Sequence, residues 1–191
     1  KRNTFTDRLF LTVSLLGASI PSFWLGLGLI YVFAVSLAKL PSAGYQPLAD
    51  GLWGNIRYLI LPSLALGFPN SALITRITRS SMLDVLDQDY VRVARAKGLR
   101  RKTVVLRHAL RNALVPMLTV IGLTLATLMG GAVVTETVFN IPGVGRLVVQ
   151  SVMRRDYPVI QGVVLVIACI YVFNNLIVDL LYTVIDPRIK Y

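Results

Sequence analysis

Four long segments without a charged side chain constrain the fold of this chain more than any other feature. They contain 30, 18, 24 and 22 residues and lie between Arg8 and Lys39, Arg57 and Arg76, Arg111 and Glu136, and Asp156 and Asp179. A helix needs about 20 mostly apolar residues to cross the ~30 Å hydrocarbon core of a membrane. The sequence therefore predicts an all-α fold, a polytopic membrane helical bundle with four spans.

The first two segments contain prolines that bear on how their helices run. A straight helix of the first segment's length would extend about 45 Å, so it must tilt, kink or emerge from the bilayer. Pro21 lies near its middle and is the predicted kink site. The second segment contains Pro62 and Pro69, and it is predicted to continue as a helix past Arg76 and Arg79.

Several small residues lie within the predicted spans, where they would let helix backbones approach closely. These residues are Gly26, Gly28, Gly122, Ala126 and Gly130. Simple space filling is an equally open interpretation for any one of them.

The charge pattern predicts the orientation of the chain in the membrane. The chain combines 55% hydrophobic residues with a net charge of +11. A nucleic-acid-binding protein would carry its charge on one face of a soluble fold, so no nucleic acid partner is expected. Of the twenty Lys and Arg residues, fifteen lie on the side of the two termini and of residues 76–111. The positive-inside rule predicts that this side is cytoplasmic. The basic residues near the termini are Lys1, Arg2, Arg8, Arg188 and Lys190.

The sequence offers no catalytic constellation. It contains no GxxxxGK[ST], GxSxG or HExxH motif. His108 is the only histidine, and a metal site needs several converging ligands, so His108 is predicted to be a surface or packing residue. No metal and no cofactor are expected. Cys169 is predicted to be a small buried residue, and Asp179 is predicted to pair with a nearby Arg.

The loop between the second and third segments, residues 85–112, is predicted to contain a short amphipathic helix. Its sequence DVLDQDYVRVARAKG favours a helix up to Gly98, a candidate left-handed C-cap. Asp84, Asp87 or Asp89 could cap the beginning of this helix.

A second helix is predicted over Thr103–Ala113, leading to Pro116 at the start of the next span. Two interpretations of the whole loop are open. It could be a solvated basic loop that binds anionic membrane lipid. Its small residues followed by glycine favour docking into the groove of a partner instead.

DYVRVARAKGL followed by RHALRNALVP resembles the cytoplasmic coupling motif of ATP-binding-cassette importer permeases, more narrowly the dipeptide/oligopeptide/nickel group. IPSFWLGL, VVTETVFNIPGVGRL, RRDYPVIQG and VIDPRIKY resemble the same group. The resemblance covers essentially all 191 residues and implies one transmembrane permease domain over 1–191. It also implies that the chain is the C-terminal four of six spans, the first two preceding Lys1. Val93-Ala94-Arg95 departs from the Glu-Ala-Ala of the general importer pattern.

The resemblance implies two sets of site residues. The set that would dock on the ATPase subunit comprises Asp89, Tyr90, Arg92, Ala94, Arg95, Ala96, Lys97, Gly98 and Leu99. Its small residues would pack into the ATPase cleft, and its basic residues would orient the helix. The set expected in an extracytoplasmic loop or gate comprises Glu136, Asn140, Pro142, Gly143 and Gly145. The two glycines are also what a tight turn requires.

By resemblance, the chain is a multi-pass permease subunit of an ATP-driven importer in a bacterial or archaeal inner membrane. The expected partners are a second homologous permease subunit, cassette ATPase subunits, an extracytoplasmic substrate-binding protein and membrane lipid. Peptides are the expected substrate, with nickel or glutathione as alternatives. A membrane scaffold that recruits a cytoplasmic partner without transport is the alternative from another class. A secondary transporter is disfavoured, because the middle of each segment lacks charged groups.

Overall fold

The computed structural model describes residues 4–129 and 132–185, which form helices and turns without a β-strand in these two ranges. The small residue Gly130 and four of the basic residues used for the topology prediction lie outside the described residues. Those four are Lys1, Arg2, Arg188 and Lys190.

The described helices account for the apolar segments of the sequence. They are α1 Phe5–Ser19, α2 Ser22–Leu29 with a π-helical continuation Ile30–Ser36, α3 Leu52–Leu86, α4 Asp89–Ala96, α5 Arg101–Met129, α6 Val133–Val138, α7 Val144–Arg154 and α8 Tyr157–Ile185. A short 3-10 turn covers Leu48–Asp50. Helices α3, α5 and α8 are long and apolar enough to cross a membrane, and α1 with α2 is a fourth candidate if the bent pair is one span. The prediction of an all-α, polytopic bundle is confirmed.

The first predicted span is broken at Pro21 rather than merely kinked. The two helices of this pair are bent by 99°. Ile20 and Pro21 have extended ψ angles of 121° and 139°. Proline disfavours the helical conformation of the residue before it, and its missing N–H removes a helical hydrogen bond. The chain therefore leaves one helix and starts another at this point.

Helix α3 continues through both of its prolines and past the basic residues beyond them, as predicted. Pro62 and Pro69 lie inside the helix. The side-chain amide of Asn70 donates to the Leu66 carbonyl at 2.7 Å. A polar side chain next to a proline can satisfy backbone groups where the helical pattern is disturbed.

The chain divides into two compact units. The first comprises Lys1–Ala72 and Thr127–Tyr171. Its core contains Leu61, Ala65 and Phe139. A Cβ at Gly26 would lie 3.0 Å from the Phe139 ring, so this glycine allows a close approach, as predicted. Gly28 differs, because no heavy atom would lie within 4 Å of a Cβ there.

The second unit comprises Leu73–Ala126 and Val172–Tyr191. Within it, α5 contacts α8 through several side chains. A Cβ at Gly122 would lie only 2.5 Å from Cγ2 of Val178. The Gly122 carbonyl accepts a hydrogen bond from the buried side chain of Asn174 at 3.0 Å. Ala126 is also buried. Gly122 therefore has the packing role expected from the sequence.

Two further contacts join the same two helices in the second unit. The hydroxyl groups of Thr119 and Tyr182 are 2.6 Å apart. Nε of Arg111 donates to the Ile185 carbonyl at 2.9 Å, which ties the last turn of α8 to the first part of α5.

Two predictions about single residues on α8 are wrong. Cys169 is exposed, although a buried residue was predicted. Asp179 is also exposed, and it forms no salt bridge with any arginine of residues 4–129 and 132–185. Most of α8 is uncovered within this chain, which explains both differences.

Candidate functional site

The short helix predicted in loop 85–112 is present and begins directly after Gln88. Helix α3 ends at Leu86, and α4 starts at Asp89 after a short break. The N-cap residue is Gln88, and its side chain forms no capping hydrogen bond, so the prediction of an aspartate cap is wrong. Asp89 lies in the first turn instead, where a carboxylate interacts favourably with the positive end of the helix dipole. It forms an exposed salt bridge of 3.3 Å with Arg92, a type that contributes little stability.

The inner side of α4 packs against its own chain. Val91 and Ala94, three residues apart, lie on one face of the helix and are buried with Val104 of α5. Leu86 covers this small core. Ala94 is only 7% exposed, so its small side chain serves packing within the chain rather than a surface for a partner.

The outer side of α4 and the residues after it are exposed. These are Asp89, Tyr90, Arg92, Val93, Arg95, Ala96, Lys97, Gly98 and Leu99. The surface thus combines three cations with apolar groups. Val93 was missing from the predicted set, although its position two residues after the buried Val91 places it on the opposite side of a helix.

Gly98 ends α4 in the left-handed conformation predicted from the sequence, with φ of +77°. Its N–H donates to the Arg95 carbonyl at 3.0 Å, and the Leu99 N–H donates to the Ala94 carbonyl at 3.4 Å. These two bonds form a Schellman motif. No heavy atom would lie within 4 Å of a Cβ at Gly98, so the φ angle alone favours glycine at this position.

A side-chain hydrogen bond tethers α4 to α5. The amide of Asn112 donates to the Tyr90 hydroxyl at 2.6 Å. Helix α5 is continuous from Arg101 through Pro116, so the helix predicted over residues 103–113 runs without a break into the next predicted span. Its turn Val104–Ala109 is π-helical, a geometry often found at functional sites. Residues 101–112 of the loop therefore belong to the same helix as the apolar segment that follows them.

The second set of predicted site residues surrounds the beginning of α7. Oε2 of Glu136 accepts a hydrogen bond from the Arg146 N–H at 2.7 Å, close to the positive end of the helix dipole. A Cβ at Gly143 would overlap the Glu136 carboxylate, and a Cβ at Gly145 would lie 2.7 Å from Cγ2 of Val133. Both glycines are therefore required for a close approach within this turn.

The other predicted residues of this set complete the same turn. Asn140 has a left-handed φ of +51°, and its Oδ1 accepts a hydrogen bond from the guanidinium of Arg146. The Phe139 carbonyl accepts the Gly44 N–H at 2.8 Å. The turn borders an open cavity of about 410 Å³, which is lined by Pro142, Gly143, Val144, Arg146, Leu147 and Gln150. Arg146 was not predicted, although it directly follows the PGVG sequence.

In the ranges that the structure describes, no three His, Cys, Asp or Glu side chains are grouped so that they could hold a metal ion. The geometry of both sets is that of two structured surface segments. The set in loop 85–112 is basic and includes helix α4. The set before α7 is a turn that the carboxylate of Glu136 holds through a hydrogen bond.

Comparison with known proteins identifies the family. The family model of the "binding-protein-dependent transport system inner membrane component" matches residues 1–191. A "probable peptide ABC transporter permease protein" of Sinorhizobium fredii is 51% identical over 187 residues, which are 98% of this chain and 60% of the relative. A dipeptide transport system permease protein of Alkalihalophilus pseudofirmus is 46% identical over 211 aligned residues, covering 100% of this chain and 63% of the relative.

A third relative, a glutathione transport system permease protein of Shigella flexneri, is 49% identical over 190 residues, covering 100% of this chain and 60% of the relative. The chain thus spans about three fifths of the length of these relatives. The match of the family model to the whole chain is decisive. The chain belongs to the family of binding-protein-dependent transport system inner membrane components.

Proposed function

We propose that this chain belongs to the permease subunit of an ATP-driven importer, and that α4 is the helix on which a cassette ATPase subunit docks. The observation that carries the proposal is the two-sided construction of α4. Val91 and Ala94 fix its inner side to the chain, while its outer side exposes Arg92, Arg95 and Lys97. A docking element needs both an anchor and a free surface.

The anchor gives the docking helix a way to transmit motion. Closure of the ATPase subunits would displace α4, and the buried contact of Val91 with Val104 would carry that displacement to α5. The hydrogen bond between Tyr90 and Asn112 adds a second connection to the same helix. The exposed cations would orient α4 in the ATPase cleft by pairing with carboxylates there.

We infer that peptides are the substrates, because relatives of 46–51% identity are named as peptide and dipeptide permeases. Glutathione is the second candidate, since a relative of 49% identity is named for it, and glutathione is itself a small peptide. A binding protein would deliver the substrate, a second homologous permease subunit would complete the path, and the ATPase subunits would hydrolyse ATP.

In this proposal the complex lies in a bacterial inner membrane, with loop 85–112 and both ends of the segment in the cytoplasm. The distribution of Lys and Arg supports this orientation. The bent pair of α1 and α2 then counts as one crossing.

The test compares Gly98→Val with Gly98→Asn in the complete, reconstituted importer. A β-branched residue disfavours the left-handed conformation by roughly 1–2 kcal/mol, whereas Asn adopts it more readily. We expect Gly98→Val to lower peptide uptake per ATP hydrolysed and Gly98→Asn to retain most of it. Wild-type uptake by Gly98→Val would contradict the docking role.

The same preparation separates transport from a scaffold function. An importer hydrolyses ATP faster when the loaded binding protein is added and accumulates peptide in the vesicle. A wild-type complex that recruits the ATPase but accumulates no peptide would support the scaffold alternative instead.

A further inference from the structure

Helix α8 carries two neighbouring polar side chains, Asn175 and Asp179, that stay exposed among the described residues. Asn175 and Asp179 are four residues apart, which places them on one face of the helix, and both are exposed. The residues between them are Leu176, Ile177 and Val178. An amide and a carboxylate in such an apolar helix must face protein or water, because hydrocarbon cannot solvate them.

The depth of these side chains follows from the last turn of α8. The Ile185 carbonyl bonds to Arg111, and a span-terminal arginine of this kind belongs at the membrane interface. At 1.5 Å per residue, Asp179 lies about 9 Å and Asn175 about 15 Å along the helix from this level. Asn175 is therefore close to the middle of a hydrocarbon core of ~30 Å.

The contacts between α8 and α5 define which sides of α8 remain free of contact with α5. Asn174, Val178 and Tyr182 face α5, as their contacts with it show. Asn175 comes one residue after Asn174, and Asp179 comes one residue after Val178. Each is therefore rotated by about 100° around the helix from the side that faces α5. The polar pair therefore lies beside the contact between the two helices.

A protein contact is a poor environment for the carboxylate. Helix α8 contains no Lys or Arg, and the only one in residues 110–129 of α5 is Arg111, near its beginning. Spans like α5 and α8 in a partner subunit would supply no cation at this depth, and a buried carboxylate without one is strongly disfavoured. Water hydrates the carboxylate without requiring a counter-charge.

We propose that Asn175 and Asp179 form a polar track that lines the water-filled part of the translocation path, toward the side of loop 85–112. The proposal rests on the proposed transport function. It assigns path-lining residues, which the family relationship alone does not.

Thiol labelling tests the polar track in the reconstituted importer. Cys169 is first replaced by Ser, and then Asn175→Cys and Asp179→Cys are compared with Leu176→Cys and Leu180→Cys. The two leucines are matched controls, because each directly follows a track residue and both are exposed in the isolated chain. The probe is a cationic, membrane-impermeant methanethiosulfonate, added with and without ATP and vanadate.

Labelling requires a thiolate, which forms in water and is suppressed in hydrocarbon. We expect labelling at 175 and 179 to be at least about tenfold faster than at 176 and 180 in one nucleotide state or the other. Equal rates in both states would overturn the proposal. Labelling at 175 and 179 that occurs only after removal of the partner permease would also overturn it, because the pair would then lie in the subunit contact.

Two features keep the test decisive. If Asp179→Cys is not recovered as a folded protein, the comparison of Asn175→Cys with Leu176→Cys decides alone, since both remove uncharged side chains. Peptide uptake by the wild-type importer and by the Cys169→Ser background is measured in parallel. Absence of uptake by the wild type would contradict the proposed transport function, whereas the labelling pattern would still report whether the track meets water.

Discussion

Replacing Glu136 by Gln is expected to destabilise the turn before α7. Glu136 is half-buried, and its Oε2 accepts the Arg146 N–H at 2.7 Å. A hydrogen bond to a charged group contributes roughly 1.5–3 kcal/mol, against about 0.5–1.5 kcal/mol for a neutral one. The favourable interaction of a carboxylate with a helix N-terminus adds about 0.3–1 kcal/mol. Because Gln keeps an acceptor but loses the charge, we expect a loss of about 1–2 kcal/mol.

Thermal unfolding of the purified complex in mild detergent measures this change. For a chain of this size, 1 kcal/mol corresponds to roughly 2–4 °C in Tm. Glu136→Gln should therefore lower the Tm by several degrees, and Glu136→Ala should lower it further because the acceptor is also lost. Asp50→Asn is the matched control, since it removes the same charge from an exposed position in the same unit.

The outcome distinguishes a structural carboxylate from one that acts in a gate. If Glu136→Gln unfolds at the wild-type temperature, the capping interaction does not contribute as the geometry indicates. If the Tm is unchanged while peptide uptake falls, Glu136 acts on the substrate or the binding protein, and the reasoning from the hydrogen bond is refuted.

Two further predictions concern contacts in the helices. Gly122→Ala should destabilise the chain by about 1–3 kcal/mol through overpacking, because its Cβ would lie 2.5 Å from Val178. Gly28→Ala, with no heavy atom within 4 Å, should be neutral or stabilising, and equal Tm values for the two variants would contradict the packing argument. Tyr90→Phe removes the acceptor for the Asn112 amide, a loss of about 0.5–1.5 kcal/mol. Faster amide hydrogen exchange in α4 should reveal this loss, and unchanged exchange would show that the tether does not hold the helix.

The features predicted from the sequence are those that depend on local physics. Uncharged segments of sufficient length give membrane-length helices in any context, which is why α3, α5 and α8 match their segments. The left-handed Gly98 was predictable as well, because a glycine directly after a basic, helix-favouring segment is a common helix end.

The features that escaped prediction depend on contacts between distant residues. The inward orientation of Ala94 requires Val104, which lies on another helix. The bond from Glu136 to the Arg146 backbone joins residues ten apart through a turn whose shape the sequence does not reveal. Pro21 was identified as a bend site, but the 99° angle depends on extended backbone at two successive residues.

The continuity of α5 has a mechanical consequence for the proposed importer. Its 29 residues extend over about 43 Å at 1.5 Å per residue, from the level of α4 into the membrane. A continuous helix can carry a displacement from one end to the other, and α5 has two places where it can bend, the π-helical turn Val104–Ala109 and Pro116. In the proposed importer, the stiffness of these two places would decide how closely each ATPase cycle is followed by a conformational change. A flexible joint at either place would let the ATPase subunits hydrolyse ATP without a conformational change in the translocation path.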